Sequence, residues 1–254
     1  MRKTVHARVA VLLVTASVVA SGCAVNPMFG RLTDDQKAAT YNAELGTNYL
    51  AAGELEPAQI KVLRALQQDP SNALANNTHA KLLVELDKPA AAEKAFQKSI
   101  RLDPKRAEYR NHYGIFLCGQ GRTEQAIDQF LQAADNKFYR TPEFALDNAG
   151  VCAMQAGRHD LADQHFRDAI RQSAVFAPAI LHMAELKLKT GDATLADAYY
   201  SRFVTLARQT PQSLYVGINI RRELGDSASA DRFAEQLIKA YPRSSQARTV
   251  LASQ

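Results

Sequence analysis

At 254 residues, with 46% apolar and 22% charged side chains, the chain has the composition of an ordinary folded protein and is long enough to bury a sizeable core. It carries 31 basic and 26 acidic residues, a formal charge of +5, which spread evenly would suggest a polyanionic partner. Arg2, Lys3 and Arg8 stand in the first 22 residues with no acid among them, however, and from Cys23 onward 28 basic residues face 26 acidic ones, so no nucleic-acid partner is expected.

The charged head MRKTVHAR, the apolar run from Val9 to Ala20 and the small residues behind it have the layout of a secretory signal over residues 1–22. The run of 12 residues falls short of the roughly 18 that a membrane helix needs. Cys23, directly behind Ala20, Ser21 and Gly22, resembles the lipobox of bacterial lipoproteins, with Ala20 where Leu is usual. That resemblance implies cleavage before Cys23 and acylation of its thiol, and Ala24 in the next place implies sorting to the periplasmic face of the outer membrane. One acyl chain binds only marginally at about 0.8 kcal/mol per buried methylene, so two or three are implied. The competing reading is an ordinary signal with an incidental cysteine. Residues 23–38, broken by Pro27 and Gly30, read as a tether.

Beyond the tether a 34-residue period begins. Windows at 39–72, 73–106, 107–140, 143–176, 177–210 and 211–244 align, with Thr141 and Pro142 inserted between the third and fourth. The eighth place reads Gly46, Ala80, Gly114, Gly150, Ala184 and Ile218, and the twentieth is alanine throughout, from Ala58 to Ala230. The twenty-fourth is larger: Val62, Phe96, Phe130, Phe166 and Tyr200, then Ala234. Small residues let two antiparallel helices approach, and the larger one fills the space beside them. The fifteenth place, Gly53, Asp87, Gly121, Gly157, Gly191 and Gly225, marks the turn after the first helix, and Pro70, Pro104 and Pro242 at the thirty-second close the second.

These residues identify the unit as the tetratricopeptide repeat, which implies an all-α, right-handed solenoid of six helix-turn-helix repeats with a concave groove lined by first helices. Residues 245–254 are expected to cap it. In such arrays the second, fifth, ninth, twelfth and thirteenth places usually face the groove. Carried over, these give Thr47, Leu50 and Ala51 in the first repeat, Leu74, Asn77, Lys81 and Val84 in the second, and Asn111, Ile115, Cys118 and Gly119 in the third. Apolar anchors with the Asn77 and Asn111 amides suit an extended or helical peptide. The alternative for each is plain packing against a neighbouring repeat.

No catalytic, cofactor-binding or metal-binding constellation emerges, and no enzyme or small-molecule substrate is expected. The histidines form neither HxxxH nor HExxH, and His159 and His165 read as solvated surface residues. CGQGRTEQ lacks a preceding strand and a following Gly-Lys-Ser/Thr, so its glycines belong to the repeat turn. Cys118 and Cys152, late in the first helices of adjacent units, are placed either to close a disulfide in an oxidising compartment or to sit as two small buried thiols. A disulfide closing this loop would contribute roughly 3–4 kcal/mol.

The lipidated cysteine, short tether and repeats, with the stretches LGTNYL, KAFQKSIRLDP, RNHYGIFL, FALDNAGVCAMQAG and YYSRFV, resemble the type IV pilus biogenesis lipoproteins of the PilF/PilW type over residues 12–250. The resemblance implies a pilotin: an adaptor that binds the secretin subunit toward the first repeat and promotes its outer-membrane localisation and multimerisation. The alternative is a scaffold lipoprotein of another outer-membrane or cell-wall assembly system.

Overall fold

The computed structural model describes residues 32–253, so the signal segment, Cys23 and the first part of the tether lie outside the described residues. From Thr33 on, the chain clusters as one compact unit. It holds thirteen helices and, among the described residues, no strand: α1 (Asp34–Ala51), α2 (Leu55–Gln68), α3 (Ala73–Glu85), α4 (Pro89–Leu102), α5 (Ala107–Gly119), α6 (Thr123–Ala134), α7 (Pro142–Gln155), α8 (His159–Gln172), α9 (Ala177–Lys189), α10 (Ala193–Leu206), α11 (Pro211–Glu223), α12 (Ser227–Ala240) and α13 (Ser245–Ala252).

Helices α1 to α12 pair in chain order as hairpins, each across a three-residue turn. The backbones of successive first helices approach closely, α1 with α3 and so on to α9 with α11, whereas those of successive second helices lie farther apart. A stack whose first helices approach more closely than its second helices bends around the first, so α1, α3, α5, α7, α9 and α11 form the inner face of an all-α solenoid. Each hairpin turn contains one left-handed residue. Five are glycines with φ between 72° and 86°, and in the turn after α3 Asp87 takes the same conformation at φ 53°.

The period acts through close approach. A Cβ on Gly114 would lie 2.6 Å from the Phe130 ring, and one on Gly150 would lie 2.5 Å from the Phe166 ring, so each phenylalanine occupies the space its glycine leaves. The last hairpin reverses the sizes: Ile218 and Ala234 pack in one buried cluster with Leu214 and Leu237. Helix α13 adds Ala247 and Val250 to that cluster, and the Ser244 side chain caps it by accepting from the Ala247 N–H.

One boundary differs from the sequence expectation. Residues 34–38, assigned to the tether, are helical, because Thr33 and Gln36 form a capping box and Asp34 and Asp35 favour the positive end of the helix dipole. At the period break, α6 has 12 residues and its connection to α7 has seven, where the other connections between hairpins have four.

Candidate functional site

The inner face is stitched by a ladder of polar contacts between first helices. Thr47 Oγ1 on α1 meets Thr78 Oγ1 on α3 at 2.7 Å. Asn77 Oδ1 on α3 meets His112 Nδ1 on α5 at 2.8 Å, Asn148 Nδ2 on α7 donates to Asn111 Oδ1 on α5 at 3.0 Å, and Asp147 Oδ1 on α7 meets His182 Nδ1 on α9 at 2.8 Å. The last three rungs each join the fifth place of one repeat to the sixth of the next. Identical periods therefore align the first helices in parallel, with matching ends at the same edge.

The ladder changes the assignment of two groove residues. Asn77 is 2% exposed and Asn111 is buried, so both amides serve the junctions rather than a ligand's backbone. Sequence spacing puts the fifth place on the inner side, but its helix also abuts the next repeat there, and a short polar side chain is drawn into that contact. Thr47 is half-buried in the first rung, and Leu74 packs against Ala43, Ala65 and Ala75. Leu50 and Ala51, at the end of α1, are half-buried and exposed, apart from the hollows described next. His165, read as a surface residue, is buried with neither ring nitrogen partnered, and burial pushes its pKa down.

Lys81 and Val84 do come together at an open hollow of about 410 Å³ between α3 and α5. Its walls are Val84, Phe96, Ile115 and Phe116, its rim includes Lys81, Glu85 and Gln120, and Gly119 leaves one side low. Phe96 and Phe116 pack with ring centroids 5.5 Å apart, giving a rigid back wall. Ile115 and Gly119 also line a smaller hollow of about 250 Å³ toward α7, with Cys118, Phe130, Asn148, Val151 and Gln155. The two hollows thus form one apolar strip across three first helices, in which Ile115 is 49% exposed. At its α7 end Cys118 and Cys152 form a disulfide with α carbons 5.8 Å apart, fixing α5 to α7.

The electrostatics divide along this face. Burial, and then the Lys81 charge, push the His112 pKa down to about 4, so the ring beside the larger hollow is neutral at neutral pH and donates from Nδ1 to Asn77. Burial also opposes protonation of His182, but the hydrogen bond and charge of Asp147, with Glu185 nearby, outweigh it and raise its pKa above the ordinary 6.5. Sequence reasoning missed His112, Phe116, Asn148, Val151, Asp147 and His182 as inner-face residues. The recurring polar pair at the fifth and sixth places was the available signal.

Aligned first helices, left-handed turns and an apolar strip on the inner face define a tetratricopeptide-repeat protein built to hold another polypeptide. Tetratricopeptide-repeat family models match residues 77–141 and 214–244. A protein of Pseudomonas aeruginosa named type IV pilus assembly protein PilF is 29% identical over 239 residues, covering 92% of this chain and 94% of that one. Among solved structures, PilW, described as a widely conserved type IV pilus biogenesis factor, is 27% identical with a TM-score of 0.74 over 84% of this chain and 98% of that one. P. aeruginosa PilF itself is 27% identical with a TM-score of 0.71, covering 87% and 100%. The chain is a tetratricopeptide-repeat protein of the PilF/PilW type.

Proposed function

We propose that the chain is a non-catalytic adaptor of type IV pilus biogenesis: a pilotin lipidated at Cys23 and held at the periplasmic face of the outer membrane, where it binds the secretin subunit and promotes its localisation and multimerisation. The observation that carries this reading is near end-to-end similarity to PilF, joined to an inner face that offers apolar wells. In physical terms, one large apolar side chain of a bound segment fills the well against Phe96 and Phe116, while Lys81 and Glu85 set its approach by charge. Burying such a side chain contributes roughly 1.5–3 kcal/mol, enough to anchor a helix or extended strand that other contacts orient.

The test compares a deletion strain complemented with the wild-type gene, Cys23→Ala or Ile115→Glu, measuring palmitate incorporation and secretin multimers. The wild type restores both. Cys23→Ala loses the label and lowers multimers, and Ile115→Glu keeps the label while lowering multimers. Normal multimers in the deletion strain itself overturn the proposal, and recovery of a different envelope machine on affinity capture assigns the adaptor elsewhere.

A further inference from the structure

The connections between successive hairpins lie at the edge of the solenoid where first helices begin, and the hairpin turns lie at the other. Neighbouring connections touch: Asn136 Nδ2 donates to the Lys105 carbonyl at 2.9 Å, and Tyr241 Oη donates to the Gln209 carbonyl at 2.8 Å. The two edges differ in charge. The connections contain six cations, Lys105, Arg106, Lys137, Arg140, Arg208 and Arg243, against three carboxylates, whereas the hairpin turns contain three cations and four carboxylates. All six are exposed, and among the described residues only Arg106 of the six is in an ion pair, with Asp103.

The two most exposed large apolar side chains among the described residues, Phe138 at 79% and Val175 at 68%, stand in adjacent connections on this same edge. Phe138 is displayed by an ordered turn. Asn136 Oδ1 accepts from the Phe138 N–H at 2.9 Å while its amide grips the Lys105 carbonyl, and the next residue, Tyr139, is buried in the core. Anchors on both sides thus hold outward an aromatic ring whose burial would be favourable. Lys137 and Arg140 flank it. Thr33, where the tether joins α1, lies beyond this same edge, about two helical turns past Thr40, which accepts from Asn72 in the first connection.

We infer that the connection edge around residues 103–106, 135–141 and 173–176 rests on an anionic lipid surface, with Phe138 and Val175 entering the headgroup region and Lys105, Lys137 and Arg140 facing the phosphates. Aromatic and aliphatic tips among cations are the chemistry of interfacial binding, and each such cation is attracted to an anionic surface. The inference extends the lipid-anchored reading by giving the solenoid an orientation, with its inner face standing upright from the bilayer. Its test does not require lipidation.

The sequence contains no tryptophan, so Phe138→Trp supplies a single fluorescent reporter, and Leu224→Trp supplies one on the opposite edge. The chain from Ala24 onward, which includes the whole compact unit, is mixed with phosphatidylethanolamine/phosphatidylglycerol or phosphatidylcholine vesicles at low salt. The expected result is a blue shift of indole emission for Phe138→Trp with the anionic vesicles alone and none for Leu224→Trp. Co-sedimentation is expected to weaken several-fold for Lys137→Glu/Arg140→Glu and for Phe138→Ser at unchanged helicity. Absence of a shift for Phe138→Trp, binding indifferent to these substitutions, or a dimer in solution that Phe138→Ser dissolves would overturn the inference, the last by assigning the edge to a second copy. Loss of palmitate labelling at Cys23 would remove the anchor and leave these outcomes unchanged.

Discussion

Helices α3 and α7 occupy equivalent places two repeats apart and solve the same packing problem with different residues. At the fifth place α3 has Asn77 and α7 has Asp147, at the eighth Ala80 and Gly150, and in the turn that follows Asp87 and Gly157. Each sends its fifth residue 2.8 Å to a histidine on the next first helix, yet His112 is held near 4 and His182 above 6.5. The backbone repeat therefore sets where a rung forms, and the rung's chemistry follows from one carboxylate in place of one amide. The neutral rung borders the larger apolar hollow, where a charge would hold water against the apolar walls.

The comparison can be broken most severely at the eighth place. Gly150→Ala forces a methyl against the Phe166 ring and is expected to destabilise by about 2–3 kcal/mol in chemical denaturation. The reverse change in α3, Ala80→Gly, is expected to lose about 1 kcal/mol, mainly from helix propensity. Equal losses at the two sites would mean that Phe166 can move aside.

Removing the carboxylate comes next. Asp147→Ala leaves the half-buried His182 without its partner and should lower stability by about 2 kcal/mol at pH 6, as read from the unfolding midpoint. A sharper version exchanges the rungs: Asp147→Asn should drop the His182 pKa below 6.5, and Asn77→Asp should lift that of His112 from about 4, both measured by imidazole NMR titration.

The two histidines also give pH responses of opposite sign. His182 binds its proton more tightly folded than unfolded, so its contribution is full below 6.5 and is lost as pH rises through its elevated folded pKa. His112 binds its proton less tightly folded, so its contribution is full above 6.5 and is lost as pH falls from 6.5 to about 4. His112→Gln should accordingly flatten the acid limb of the stability profile by about 1–2 kcal/mol, a figure discounted for the ring's partial exposure. An unchanged acid limb would place the sensitivity in other groups.

The smallest effect is expected at the turns. Asp87→Gly should relieve a left-handed non-glycine residue and raise stability by less than about 1 kcal/mol, making the turn after α3 resemble that after α7.

Much of this architecture could be read before any coordinates. The eighth, fifteenth and twentieth places announce their conformations because close approach and left-handed turns each exclude nearly all residue types, so Gly114 and Gly157 carry their structural meaning in their identity. Val84, Lys81 and Ile115, singled out by the places that face the groove in tetratricopeptide arrays, line the hollow between α3 and α5. Asn77 and Asn111 do not, since the same place on a helix faces both the groove and the next repeat, and only the spacing between first helices decides which contact takes the side chain.

By itself, the order of residues determined the period, the pairing of helices within each hairpin and the face each helix turns inward, because those follow from local sterics and from small and large side chains in register. Tertiary structure alone decided that Asp147 would meet His182 and that Phe138 would be held outward while Tyr139 is buried. Those outcomes depend on distances across repeats some 35 residues apart, and a burial pattern or a pKa is a property of the assembled neighbours rather than of any one residue in the chain.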